Sequence, residues 1–136
     1  MEQVSGIGGV FFRAENPRAL AQWYETHLGI SKVPETYEQG SWWQDSGPTV
    51  FDPYDDSNEY LSKLKANLIL NFRVANLDRM VAQLRAAGVE VEVDPEVYPN
   101  GRFAHLADPE GNPVQLWEVA GTDATRPKGH NERPCT

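Results

Sequence analysis

The chain has 136 residues, a formal charge of −8, a pI near 4.8, 40% hydrophobic residues and 10% aromatic residues. That length supports one well-buried core and not two. The acidic balance argues against a polyanion-binding surface, since nucleic-acid binding depends on clustered Lys and Arg that displace counterions, and no stretch approaches the roughly 20 apolar residues of a membrane span. The N-terminus "MEQVSGIGG" lacks the basic segment and apolar run of a signal peptide. The single cysteine, Cys135, has no partner in the chain for a disulfide. A cytoplasmic protein that binds neither nucleic acid nor membrane is the expectation.

In chain order, "IGGVFFR" reads as a strand near residues 5–13. Asn16 is an N-cap and Pro17 suits the first helical position. Leu20, Trp23, Tyr24, His27 and Leu28 then fall at helical spacing, predicting a helix over 17–28 that Gly29 ends. Short strands through "SWWQ" and "PTVFD" follow, then a loop "PYDDSNEYLSKLK". At an offset of sixty the pattern returns: "NLILNFRV" is a strand near 67–74, Asn76 caps, Leu77, Met80, Val81 and Leu84 form the apolar stripe of a helix over 77–87, and Gly88 terminates it. "VEVEV", "RFAHLAD" and "PVQLWEV" follow as strands, the last two joined by the turn "DPEGN", where Gly111 supplies a positive φ. The order is β-α-β-β-β twice, predicting an α+β fold of modules 5–55 and 66–119 within one domain, 1–120. The tail 121–136 is polar, without periodicity, and either irregular or pinned against the surface.

The paired βαβββ pattern, the segment "NPRALAQWYETHLGI" and above all the hairpin "GRFAHLADPEGNPVQLWE" resemble the vicinal oxygen chelate superfamily of glyoxalases, bleomycin-resistance proteins and extradiol dioxygenases. The resemblance runs from about Ile7 to Glu118. It implies two modules related by a pseudo-two-fold, their curled mixed sheets forming a cleft, and in the enzymes a divalent metal held there by His, Gln or Glu. Carried onto this chain, three of those ligand positions fall on Gly9, Ile69 and Gln115, and a fourth near Phe51 or Asp52. Gly and Ile offer no donor atom, so no metal or other cofactor is expected.

If Gly9, Ile69 and Gln115 face the concave side, strand alternation places Phe11, Arg13, Asn71, Arg73 and Trp117 there too, leaving Val10, Phe12, Leu70, Phe72, Val114 and Leu116 for the helices. Phe103 and His105 join the cleft when Ala104 and Leu106 face the helices. The candidate ligand-binding set is therefore Phe11, Trp43, Asn71, Arg73, Tyr98, Phe103, His105, Gln115 and Trp117. An aromatic lining with a few polar groups suits a small molecule. Each residue also has a structural reading. His105 is the candidate acid or base, or a histidine hydrogen-bonded at the cleft edge. Asn71 and Gln115 bond a ligand or satisfy each other. Arg13 and Arg73 draw an anionic substrate to the rim or are exposed strand-end arginines. Of the adjacent Trp42 and Trp43, at most one enters the cleft, and Tyr98 overhangs it or is an exposed turn residue. His27, at a helix end, and His130, in the tail, carry no functional role.

Two functions from different classes follow. One is a metal-free binding protein for a small aromatic or amphipathic molecule. The alternative is a lyase, isomerase or dioxygenase with a shifted metal site built from Gln115, His105 and Asp52. A homodimer is expected, because open half-barrels leave sheet edges unpaired and the aromatics outnumber what one cleft and the helix faces bury.

Overall fold

The computed structural model describes residues 1–55, 57, 59–64 and 66–127. His130, Cys135 and most of the polar tail lie outside them. The fold is α+β. A curled, unclosed mixed sheet of four strands, β1 (Leu70–Arg73), β2 (Glu92–Val93), β3 (Gly101–Ala107) and β4 (Pro113–Val119), runs in the order β1-β4-β3-β2. β1 pairs with β4 in parallel, and the other pairs are antiparallel. Helices α1 (Pro17–Leu28) and α3 (Leu77–Ala86) supply the apolar faces of the core. A short helix α2 (Glu59–Leu64) precedes β1, and a 3₁₀ turn (Gly121–Ala124) follows β4.

Both long helices begin and end as their sequences dictate. Asn16 Oδ1 accepts from the Ala19 amide at 3.1 Å, and Asn76 Oδ1 from the Arg79 amide at 2.9 Å. Gly29 takes the left-handed conformation, φ +74°, that closes α1. A carboxylate from the β3–β4 unit also holds each helix start. Glu110 accepts from the Glu15 and Asn16 amides, and Glu118 Oε1 from the Leu77 amide at 3.0 Å. Acidic groups there also complement the positive end of the helix dipole. This is the physical content of the sixty-residue repeat: two capped helices docked by equivalent means.

Leu20 and Tyr24 of α1 and Leu77, Val81 and Leu84 of α3 are buried with Ala104, Leu106, Val114 and Leu116 of the sheet. Alternation assigns those four strand residues to one face, which leaves the other face for Asn71, Phe103, His105, Gln115 and Trp117.

The structure differs from the expected strands in five places. Residues 5–13 and the segments through "SWWQ" and "PTVFD" run without strand pairing, and most of their large side chains are exposed. Their period-2 apolar pattern is real, but a strand also needs a partner backbone, and among the described residues these segments pair with none. The first module therefore brings its helix to the fold without a paired sheet of its own. β1 begins at Leu70, not at 67. β2 is two residues long because the chain before it is held by α3, with the Val89 amide bonded to the Leu84 carbonyl at 3.0 Å. The linker "PYDDSNEYLSKLK" contains α2, whose Glu59 and Lys63 sit one turn apart.

Candidate functional site

The register of the four strands arranges the concave face in rows. Asn71 lies opposite Gln115, Gln115 opposite His105, and His105 opposite Glu92. One pleat along, Arg73 lies opposite Trp117 and Trp117 opposite Phe103, while the Asp94 amide bonds to the Phe103 carbonyl at 2.9 Å. Six of the nine candidate residues thus share one sheet face.

Trp117 and Phe103 are parallel within 7°, their ring centroids 6.1 Å apart. Trp117 is only 2% exposed, and its indole N–H donates to the Asn100 carbonyl at 2.9 Å, so it forms the floor of the face. Gly101 makes this possible: a side chain there would overlap the Glu118 backbone and the Trp117 indole. Tyr98, seventh of the nine, is half-buried and sets its ring edge-on against Phe103 at 5.8 Å. Its hydroxyl donates to Asp94 Oδ2 at 2.8 Å. That bond, with the Glu96 carboxylate beside it, pushes the Tyr98 hydroxyl up to about 12. The Glu96 amide, the Tyr98 hydroxyl and the nearby His105 hold the Asp94 carboxyl below the usual carboxylate range.

Asn71 Nδ2 donates to Gln115 Oε1 at 2.5 Å, so the two amides do satisfy each other in part. The bond occupies the Gln115 oxygen and leaves the amide NH₂ as what that side chain still offers a ligand. Arg73 Nη2 donates to the Asp45 carbonyl at 3.0 Å, and its guanidinium lies where a methyl on Gly47 would overlap it. The segment 45–47 is thereby strapped to the sheet beside Trp117.

Phe11 and Trp43 are not part of this arrangement. They are 94% and 90% exposed on the unpaired first-module segments, and Arg13 is exposed as well. The cleft as expected needed those segments to be strands. A groove of about 650 Å³ runs along the β2 edge beneath Trp23, lined by Val89, Val91 and Leu106, and it shares only Glu92 and His105 with the concave face.

The residues at the superfamily's ligand positions do not fit a divalent ion. Gly9 lies on an unpaired segment, Ile69 is apolar, and the Gln115 oxygen already accepts from Asn71. Among the described residues no three His, Cys, Asp or Glu side chains are grouped to hold a metal.

Sequence reasoning missed the polar hub behind the "DPEGN" turn. Asp108 is 4% exposed and accepts from the Tyr24 hydroxyl at 2.7 Å, the Glu110 and Asn112 amides at 2.9 and 3.0 Å, and Asn112 Nδ2 at 2.7 Å. Burial, with this bond and the adjacent negative charge, pushes the Tyr24 hydroxyl far up. The signal available in the sequence was an Asp opening a tight turn; its partner 84 residues away carried none.

Residues 9–117 match the profile of the glyoxalase-like domain family. The chain belongs to that family. It is thereby a member of the vicinal oxygen chelate superfamily, of the glyoxalase and bleomycin-resistance type. Two solved structures share the fold across nearly the whole chain. One, from the mobile metagenome of V. Pseudocholerae, has a TM-score of 0.59 at 14% identity, covering 89% of this chain and 99% of that one. The other is the fosfomycin resistance protein FosX of Listeria monocytogenes, with a TM-score of 0.51 at 16% identity over 88% and 94% of the two chains. An antibiotic binding protein, TnmS3 of Streptomyces sp. CB03234, is 34% identical over 40% of this chain and 45% of its own, with a TM-score of 0.36. The chain thus spans less than half of that relative's length. No curated protein gives a significant match. Within this glyoxalase-like chain, no helix of the described residues is long and apolar enough to cross a membrane.

Proposed function

We propose that this glyoxalase-like protein binds a small aromatic or amphipathic molecule on the concave sheet face without using a metal. The observation that carries the reading is the juxtaposition of two rows: the aromatic pair Trp117–Phe103, and beside it the amide pair Asn71–Gln115. A half-buried Phe103 ring backed by the buried Trp117 indole, next to a few oriented polar groups, has the usual composition of a small-molecule site. His105 sits in the amide row and contributes polarity there.

We propose further that the working form is a homodimer. The first-module segments expose Val4, Phe11, Val33, Trp43, Val50 and Phe51, far more apolar surface than a soluble monomer usually shows. β1 is an edge of the sheet. Strand segments without partners and a sheet edge without a neighbour are both met by a second copy, and such a copy would bring Phe11 and Trp43 back to a cleft. The single cysteine suits a cytoplasmic setting.

Titration of tryptophan emission with a panel of planar aromatics tests the binding reading. Saturable quenching is expected, weakened about 2- to 10-fold in Gln115→Ala, because one hydrogen bond is worth about 0.5–1.5 kcal/mol. A variant with unchanged affinity and a large fall in thermal midpoint would make Gln115 structural, and absence of saturation across the panel would count against the site. Light scattering tests the dimer, which a monomeric full-length chain would refute.

A further inference from the structure

Resting on that reading of the concave face, we infer that its ligand is a planar aromatic bearing a single carboxylate, and that this carboxylate takes the Arg73 guanidinium away from the backbone of residue 45. Arg73, Trp117, Phe103 and Asp94 form one row across the sheet, so the face is charge-ordered: a cation at the β1 side, stacked aromatic rings in the middle, and acids at the β2 side. Three inter-strand steps separate the ends, about 14 Å. Glu92 reinforces the acidic end from the neighbouring row.

Arg73 is the charged group of this row whose present partner is a poor match for it. Its hydrogen bond goes to a neutral carbonyl, and among the described residues no carboxylate lies within ion-pair distance. Arg102, on the same sheet, shows the contrast, with Asp78 at 3.0 Å and Glu118 at 3.9 Å. A guanidinium binds a carboxylate through charge-assisted, often bidentate bonds that are roughly twice as strong as those to a neutral acceptor. The Asp45 carbonyl that would be given up belongs to an exposed segment and returns to water at little cost. Ligand binding and release of the 45–47 strap are therefore one event. Aromatic area supplies the rest of the affinity, and Asp94 with Glu92 disfavours a second anionic group at the far end.

Equilibrium titrations of the full chain with 2-naphthoate, 2-naphthamide and 2,6-naphthalenedicarboxylate test this. The naphthoate is expected to bind about tenfold more tightly than the amide, a difference set by the charge-assisted bond. The second carboxylate is expected to bring no gain. Arg73→Gln should abolish the naphthoate preference, bringing the two affinities level. Should that variant not fold, the wild type still decides: the naphthoate-to-naphthamide ratio should shrink as salt rises from about 0.05 to 0.5 M, where screening lengths shorten several-fold. Equal binding of the two by the wild type, or a preference indifferent to both salt and Arg73, overturns the inference while leaving the aromatic site standing. If neither ligand binds, the concave-face reading itself falls, and this inference with it.

Discussion

Replacing Tyr24 by Phe removes one hydrogen-bond donor from the buried Asp108 carboxylate, and its cost can be worked from the geometry. The hydroxyl donates at 2.7 Å to Asp108, a buried carboxylate, and hydrogen bonds to charged groups contribute about 1.5–3 kcal/mol. Asp108 keeps three other donors, the Glu110 and Asn112 amides and the Asn112 side chain, so the charge is not left unpaired. The expected loss therefore lies near the low end, about 1.5–2 kcal/mol. Asp108→Ala removes all four bonds, strands the buried Tyr24 hydroxyl and frees the turn that presents Glu110 to the start of α1; about 3–4 kcal/mol is expected. Urea unfolding followed by circular dichroism, at one fixed protein concentration so that assembly contributes equally, measures each value. The double variant should cost about as much as Asp108→Ala alone, because the two residues share the bond. A Tyr24→Phe protein within about 0.5 kcal/mol of wild type, or strictly additive losses, would refute the claim that this pair ties α1 to the β3–β4 hairpin.

The same bond predicts an alkaline limit. The folded-state Tyr24 value is raised above its ordinary 10.0, so its contribution is complete below pH 10 and declines above it, by about 1.4 kcal/mol per pH unit, as the unfolded tyrosine ionises first; the decline should be smaller in Tyr24→Phe when urea midpoints are compared across pH. Asn76→Ala should cost about 1 kcal/mol through loss of the α3 cap, read from the same unfolding curves, with ligand affinity unchanged. Protein purified without chelator should carry no stoichiometric divalent metal by elemental analysis, since the donor set around Gln115 does not suit one.

Much of the second half was legible because its signals are local. The Asn-capped helix, the Gly111 turn and the alternation of Ala104 and Leu106 against Phe103 and His105 each lie within a few residues, and the observed register follows them. The polar rows were partly legible: alternation puts Asn71 and Gln115 on one face, and the bond between them, one of the two readings the residue types allow, is present at 2.5 Å. The first half shows the limit. "IGGVFFR" has the composition of a strand, yet a strand is a relation between two backbones, and among the described residues this segment pairs with no second one. Helix α2 was hidden because six residues are too few for a helical period to show in the sequence. The strap from Arg73 to residue 45 and the Tyr24–Asp108 pair join segments 28 and 84 residues apart, and no local pattern marks such a bond.

The claim that the concave face is the ligand site is tested most directly by amide-detected NMR on the ¹⁵N-labelled full chain titrated with 2-naphthoate. The account predicts that the largest shifts fall on the Asn71 and Gln115 side-chain amides, the Trp117 indole N–H and the backbone of Phe103 and His105, all on one sheet face. Shifts concentrated instead at Trp23, Val89 and Val91, along the β2-edge groove, would contradict it.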